Sequence, residues 1–247
     1  MTQLTTVDTN NYAAMAKAMG IAHEKTSSSS SSLARLRINH SPIIGSDKVL
    51  VKGGTYKLEI PDGPTHYANE DYACTRAIVG STIYTPADAQ TAELVAFELI
   101  KHPQFSYVRL DREPLPNIMG NITRQDIKRG YRITGECGYS SIALISHGRM
   151  VHTCMEMQRK EPSKYFVVDL FRSKPFPTDL HKCIPCRGVV VVDEQTPSGN
   201  LAAAVFEGFS KNGYHPKIVS RCLPERYIFE NGGRDYLLNQ NGLSQKC

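Results

Sequence analysis

The residues best suited by type and spacing to do chemistry are Asp62 and His66, which flank the turn Gly63-Pro64-Thr65. Glycine tolerates φ > 0 and proline fixes φ near −65°, so Gly63-Pro64 turns the chain and leaves a carboxylate and an imidazole on either side. Asn69-Glu70-Asp71 follows at once. The short apolar run Lys48–Val51 leads in, and Glu70–Ile78 leads out with the pattern of a helix. A strand, a glycine-containing turn and a helix in that order present polar groups at the carboxyl edge of a sheet, where α/β folds hold ligands. A plain solvated turn would share this local sequence, so the motif has to be weighed with the rest of the chain.

A second candidate is Cys183-Ile184-Pro185-Cys186. The chain has seven cysteines, at 74, 137, 154, 183, 186, 222 and 247. An odd number at irregular spacing predicts reduced thiols rather than a disulfide framework. A lone CxxC suits a redox pair, half of a zinc site with His181 nearby, or incidental thiols in a loop. No second CxxC or CxxH follows at ligand spacing, and incidental loop cysteines are the expectation.

The elements that must position these groups read as α/β. A chain of 247 residues with 40% hydrophobic and 21% charged residues is long enough for one large or two modest cores. The net charge of +5 is scattered rather than striped, which argues against nucleic acid and is compatible with a phosphorylated small molecule. No apolar stretch has the length of a membrane span. The segment MTQLTTVDTNN lacks the basic and apolar parts of a secretory signal, so a cytoplasmic chain is expected. Strands are predicted at 48–51, 82–84, 107–110, 141–146, 165–170, 188–192 and 217–219, and helices at 11–21, 70–78, 87–100, 149–158, 201–209 and 235–240. His147-Gly148 reads as a turn. Ser27–Ser32, a run of serines, reads as a flexible linker, and residues 33–38 as an amphipathic segment. Residues 112–130, rich in Pro, Asn and charge, show no period, and a boundary is expected near 122–135. The fold class is two small α/β domains with mostly parallel sheets, 1–125 and 135–247.

Residues 62–93, DGPTHYANEDYACTRAIVGSTIYTPADAQTAE, resemble the pyrimidine-binding domain of the transketolase family, which includes the deoxyxylulose-phosphate synthases. Tyr107 to Arg112 resembles the strand that closes that domain. Ser141–Ser146 with His147-Gly148, Val167–Leu170 with Lys174-Pro175, and Val189–Glu194 with Gly199-Asn200 resemble the family's C-terminal domain. The pieces occur in the family's order through to the end of the chain.

The resemblance implies roles for particular residues. Asp62 matches a family Asp that meets a substrate hydroxyl, His66 a His beside the reacting carbons, and Arg112 an Arg that grips the sugar phosphate. These chemistries suit a hydrogen-bond acceptor, a proton carrier and a guanidinium fork. Family members hold thiamine diphosphate and a divalent metal between two domains, with a Gly-Asp-Gly…Asn segment for metal and diphosphate. That segment has no counterpart in these 247 residues. The expectation is therefore that thiamine diphosphate and Mg bind only when a partner chain completes the site, and that the isolated chain binds neither.

Other positions depart from the family. Thr9 falls where the family has the Glu that hydrogen-bonds the cofactor's pyrimidine ring, although this part of the alignment is weak and a shift would leave Glu24 as the only nearby Glu. The serines stand where aromatic residues enclose that ring, and Gly53-Gly54-Thr55 stands near a family His. The resemblance implies a transketolase-like subunit that transfers a two-carbon ketol unit between sugar phosphates, as a homodimer or as a heteromer with a diphosphate-binding half. The alternative is a degenerate, non-catalytic homologue acting in dimerisation or regulation.

Overall fold

The computed structural model describes residues 49–52, 67, 69–111, 115–118 and 122–244. Thr9, Asp62, His66, Arg112, the helix expected at 11–21 and the serine run lie outside the described residues. The described residues form an α/β architecture with two mixed sheets, each built from short apolar strands alternating with helices.

The first sheet contains β1 (Val49–Lys52), β2 (Thr82–Tyr84), β3 (Ser106–Arg109) and a late strand, β7 (Arg172–Lys174), in the order β1-β3-β2-β7. β1 and β2 run parallel to β3, and β7 runs antiparallel to β2. Helix α1 (Asp71–Ala77) precedes β2, and α2 (Ala89–Lys101) joins β2 to β3. Asp88 starts α2, accepting from the Thr91 backbone at 2.8 Å and from its hydroxyl at 2.6 Å, which satisfies a donor that a helix start leaves open. The apolar face of α2 (Ala92, Val95, Ala96, Leu99) packs on Tyr84, Val108 and Leu110.

The second sheet has the order β4-β6-β5-β8-β9, from β4 (Arg132–Thr134), β5 (Ile142–Ser146), β6 (Tyr165–Asp169), β8 (Gly188–Val192) and β9 (Ile218–Arg221). All its pairs are parallel except β4–β6. The central strands are nearly continuous apolar runs, as expected for a parallel sheet covered on both faces. Those covers include α4 (Met150–Lys160) and α6 (Leu201–Lys211). The remaining helices are α3 (Arg124–Arg129), the short α5 (Leu180–Cys183) and α7 (Arg234–Gln240).

Three elements were not expected from sequence. α3 lies in the stretch that showed no period, yet it carries a capping box: Thr123 Oγ1 accepts from Asp126 N, and the Asp126 carboxylate accepts from Thr123 N. β4 follows it directly. β7 is three residues long and takes its place by pairing with β2, so a strand from the C-terminal half completes the N-terminal sheet.

Candidate functional site

The carboxyl ends of β3, β5 and β8 meet across a seam of buried polar side chains. At the first sheet, the Asp71 carboxylate at the start of α1 accepts from Tyr107 Oη at 2.5 Å and from Arg109 Nε at 3.1 Å. Arg109 is 1% exposed and lies at the end of β3. Gln195, just past β8, has its amide oriented by two neighbours. Its nitrogen donates to the Asn69 carbonyl at 2.6 Å, and its oxygen accepts from Arg109 Nη2 at 2.5 Å. The two sheets are thus tied within a few residues of the segment that follows His66. Tyr67, the neighbour of His66, is buried in a cluster that includes Ala87, Met150 and Val151.

A second tie runs through Arg234 at the start of α7. Its guanidinium donates to both carboxylate oxygens of Glu194, through Nε at 2.9 Å and through Nη2, and through Nη1 to Asp111 Oδ1 at 3.2 Å. Asp111 is the residue before Arg112. Buried charges are tolerated only when paired and hydrogen-bonded, so this fork fixes the backbone from which Arg112 departs.

His147 follows β5 and is 1% exposed. Its Nε2 lies 3.1 Å from Asp193 Oδ1, and its ring meets Tyr72 edge-on at 5.2 Å. The other Asp193 oxygen accepts from Leu201 N at 3.0 Å, at the start of α6, where a carboxylate also suits the helix dipole. His147 was expected only as part of a turn; here it is a buried brace. Gly148 beside it has φ +56°, and its N–H donates to the Thr85 carbonyl at 3.1 Å. A Cβ there would meet Thr85 Cγ2 at 3.0 Å, so the close approach of the two sheets at this point needs glycine.

A third cluster joins β4 and β6 to α2. Arg132 donates to Asp88 at 2.7 Å and to Asp169 at 3.0 Å, with both carboxylates fully buried. Arg76 and Lys174 extend the seam through backbone carbonyls. Arg76 Nη1 donates to Gly199 O at 2.8 Å, and Lys174 Nζ donates to Arg76 O at 2.7 Å and to Ile78 O at 2.6 Å.

The ionisation of these groups follows from burial and charge. Burial pushes the Tyr107 phenol well above its usual range and the Asp71 carboxylate adds to this, which keeps Tyr107 a proton donor. Burial works against the Arg109 cation, but Asp71 and the other negative neighbours outweigh it and raise its pKa. Burial, aided by Asp88 and opposed by Arg132, lifts the Asp169 carboxyl to about 7. Burial lowers the pKa of His152 on α4, which bonds the Ala87 carbonyl through Nε2 at 2.8 Å.

The paired seam is a positioning device rather than a set of reacting groups. Among the described residues, no group of three His, Cys, Asp or Glu side chains is arranged to hold a metal ion. The donors present therefore do not fit the metal that the resemblance implies. Also among the described residues, no helix is long and apolar enough to cross a membrane.

Residues 136–246 match the family model of the transketolase C-terminal domain. The chain is of the transketolase C-terminal type. An apulose-4-phosphate transketolase subunit of Phocaeicola vulgatus is 26% identical to this transketolase-type chain over 193 residues, 73% of the chain and 60% of that protein. Transketolase-like protein 1 of Bos taurus is 27% identical over 191 residues, 75% of the chain but 31% of that protein. The chain thus spans less than two thirds of these relatives. Among solved structures, a split-gene transketolase described as an inactive beta4 tetramer superposes with a TM-score of 0.68 at 22% identity, covering 80% of this chain and 63% of that one. A mutant transketolase from Pichia stipitis gives 0.63 at 18% identity, covering 81% and 29%. At these identities the structural likeness speaks to the fold.

Proposed function

We propose that this chain is one subunit of a two-chain transketolase-type assembly that handles sugar phosphates, with residues 1–125 as its pyrimidine-binding-type domain and 135–247 as its C-terminal-type domain. The observation that carries the reading is the seam. Arg234, Glu194 and Asp111 on one side, and Gln195, Asn69 and Arg109 on the other, anchor the chain next to Arg112 and His66 from both sheets at once. In this reading Asp62 accepts a sugar hydroxyl, His66 gives or takes a proton at the reacting carbons, and Arg112 forks onto the phosphate. The partner brings the residues for metal and diphosphate, and thiamine diphosphate bound there would supply the carbanion chemistry of ketol transfer. A relative that is a named subunit and spans little more than this chain supports a divided enzyme. Exposed apolar side chains on α2 (Phe97, Ile100) and after α1 (Ile78, Val79) suit a face that another chain covers.

A second reading, a non-catalytic subunit, is favoured by Thr9. A hydroxyl cannot take the part of a carboxylic acid at the pyrimidine ring.

The test is calorimetric titration of the purified chain with thiamine diphosphate and magnesium, alone and after mixing with a diphosphate-binding transketolase subunit that co-purifies with it. Binding only in the mixture is expected. Micromolar binding by the isolated chain would overturn the two-chain reading.

A further inference from the structure

The Cys183-Ile184-Pro185-Cys186 segment lies away from the seam and plays no part in the function proposed above. Cys183 ends α5, and the flanking Leu180 and Ile184 are fully buried, so both thiols project from a fixed turn. Cys183 Sγ is approached by two donors, Tyr131 Oη at 3.3 Å and Arg129 Nη2 at 3.7 Å, and Arg129 also bonds Tyr131 Oη at 2.8 Å. Cys186 Sγ lies 3.6 Å from Tyr214 Oη. Burial first, and then the adjacent cysteine, pushes both phenols above their usual range, so Tyr131 remains a donor to sulfur. A third thiol, Cys137, lies on an exposed loop within electrostatic range of both sulfurs; burial, then those two neighbours, raises its pKa. Both Cys183 and Cys186 are partly open to solvent. Since no metal-holding group of three such side chains exists among the described residues, the cluster is not arranged as a zinc site.

We infer that Cys183 and Cys186 form a thiol–disulfide exchange site that reacts with small-molecule disulfides, with Cys183 as the attacking thiol and Cys186 as the resolving one. The arrangement supplies what such a step needs. The attacking sulfur is reachable and sits beside a cation and a hydroxyl donor, and the partner thiol is three residues on, across a helix end, a spacing short enough for disulfide geometry. With glutathione disulfide, the Cys183 thiolate attacks one sulfur and releases one glutathione. Cys186 then attacks the Cys183 sulfur of the mixed disulfide, the intramolecular S–S bond forms, and the second glutathione leaves. Two protein thiols are oxidised, one small disulfide is reduced, and the two thiol protons leave with the two glutathione molecules.

The test uses the full chain, reduced, desalted and exposed to graded mixtures of glutathione and glutathione disulfide, then alkylated and digested with trypsin. Cys183–Arg187 is one tryptic peptide with both sulfurs. In wild type it should lose two hydrogens as the disulfide fraction rises, resist alkylation, and revert with dithiothreitol. Cys186→Ser should accumulate a glutathione adduct on Cys183, Cys137→Ser should bridge as wild type does, and Arg129→Met should slow bridging without changing adduct formation at the exposed Cys74. Any of the following would overturn the inference: a peptide that stays fully alkylated in glutathione disulfide, a bridge that needs Cys137, or stoichiometric zinc on the reduced chain that blocks exchange.

Discussion

Two sets of ion pairs in this molecule use the same side chains to different ends. Arg226–Glu230 at 2.8 Å and Lys164–Glu161 at 2.9 Å lie on the surface with their side chains about half exposed. Arg109–Asp71, Arg234–Glu194–Asp111 and Arg132–Asp88–Asp169 are almost wholly enclosed. Water screens the first set, which does little more than decorate the surface. The second set is desolvated, and each charge depends on its partner and on the remaining hydrogen bonds around it. The surface pairs are also local, three or four residues apart, whereas the enclosed ones join residues up to 123 positions apart and tie the ends of different strands together. Geometry alone does not separate the sets, since the distances are similar. Burial and sequence separation do.

The sharpest way to break this contrast is to remove one enclosed partner. Asp71→Ala strands the Arg109 guanidinium in the interior and should lower unfolding stability by about 3–5 kcal/mol, measured by urea titration. A loss as small as that of a surface pair would mean water reaches Arg109. Next comes the approach of the two sheets. Gly148→Ala adds a Cβ 3.0 Å from Thr85 Cγ2 and forces alanine to φ +56°, at an expected cost of about 1–2 kcal/mol by the same titration.

The Asp169 cluster gives a pH signature. Its carboxyl titrates near 3.8 when exposed and at about 7 here, through burial. Between those values the folded chain holds the proton and the unfolded chain does not. The stability it contributes is therefore fully present below about 3.8 and is lost as pH rises through about 7. The unfolding free energy of wild type minus that of Asp169→Asn should fall between pH 5 and pH 8, with a slope of at most about 1.4 kcal/mol per pH unit. A difference that is flat with pH would show the group to be ionised throughout. At the small end, Arg226→Ala and Lys164→Ala should leave the urea midpoint where it is, and a clear shift in either would mean that the surface pairs are not idle.

Sequence reading reached the elements with their own period. The strands at 82–84 and 188–192 and the helix from 201 are apolar runs or stripes that identify themselves. It missed α3, although Thr123-x-x-Asp126 is a capping signal, because the loop-like composition around it masked a six-residue helix. β7 had no signal to find: Arg172-Ser173-Lys174 is polar and short, and becomes a strand only because β2 offers an open edge. The seam was equally hidden. Arg109 sits inside a strand pattern and Arg234 at a helix start, and nothing local tells that Asp71, Glu194 or Asp111 will face them. The resemblance to transketolases named Asp62, His66, Arg112 and Thr9, which lie outside the described residues. The packing that holds their neighbours in place came only from the fold.

The most direct test of the proposed function is ketol transfer from xylulose 5-phosphate to ribose 5-phosphate by the chain with its diphosphate-binding partner. Wild type, Thr9→Glu and Arg112→Ala would be compared. Slow transfer by wild type is expected, with faster transfer by Thr9→Glu by up to about 10²–10⁴-fold, since a positioned acid is restored. Arg112→Ala should lose roughly tenfold or more in kcat/KM, since a charged hydrogen bond to phosphate is removed. Robust wild-type turnover that Arg112→Ala leaves untouched would contradict the proposal.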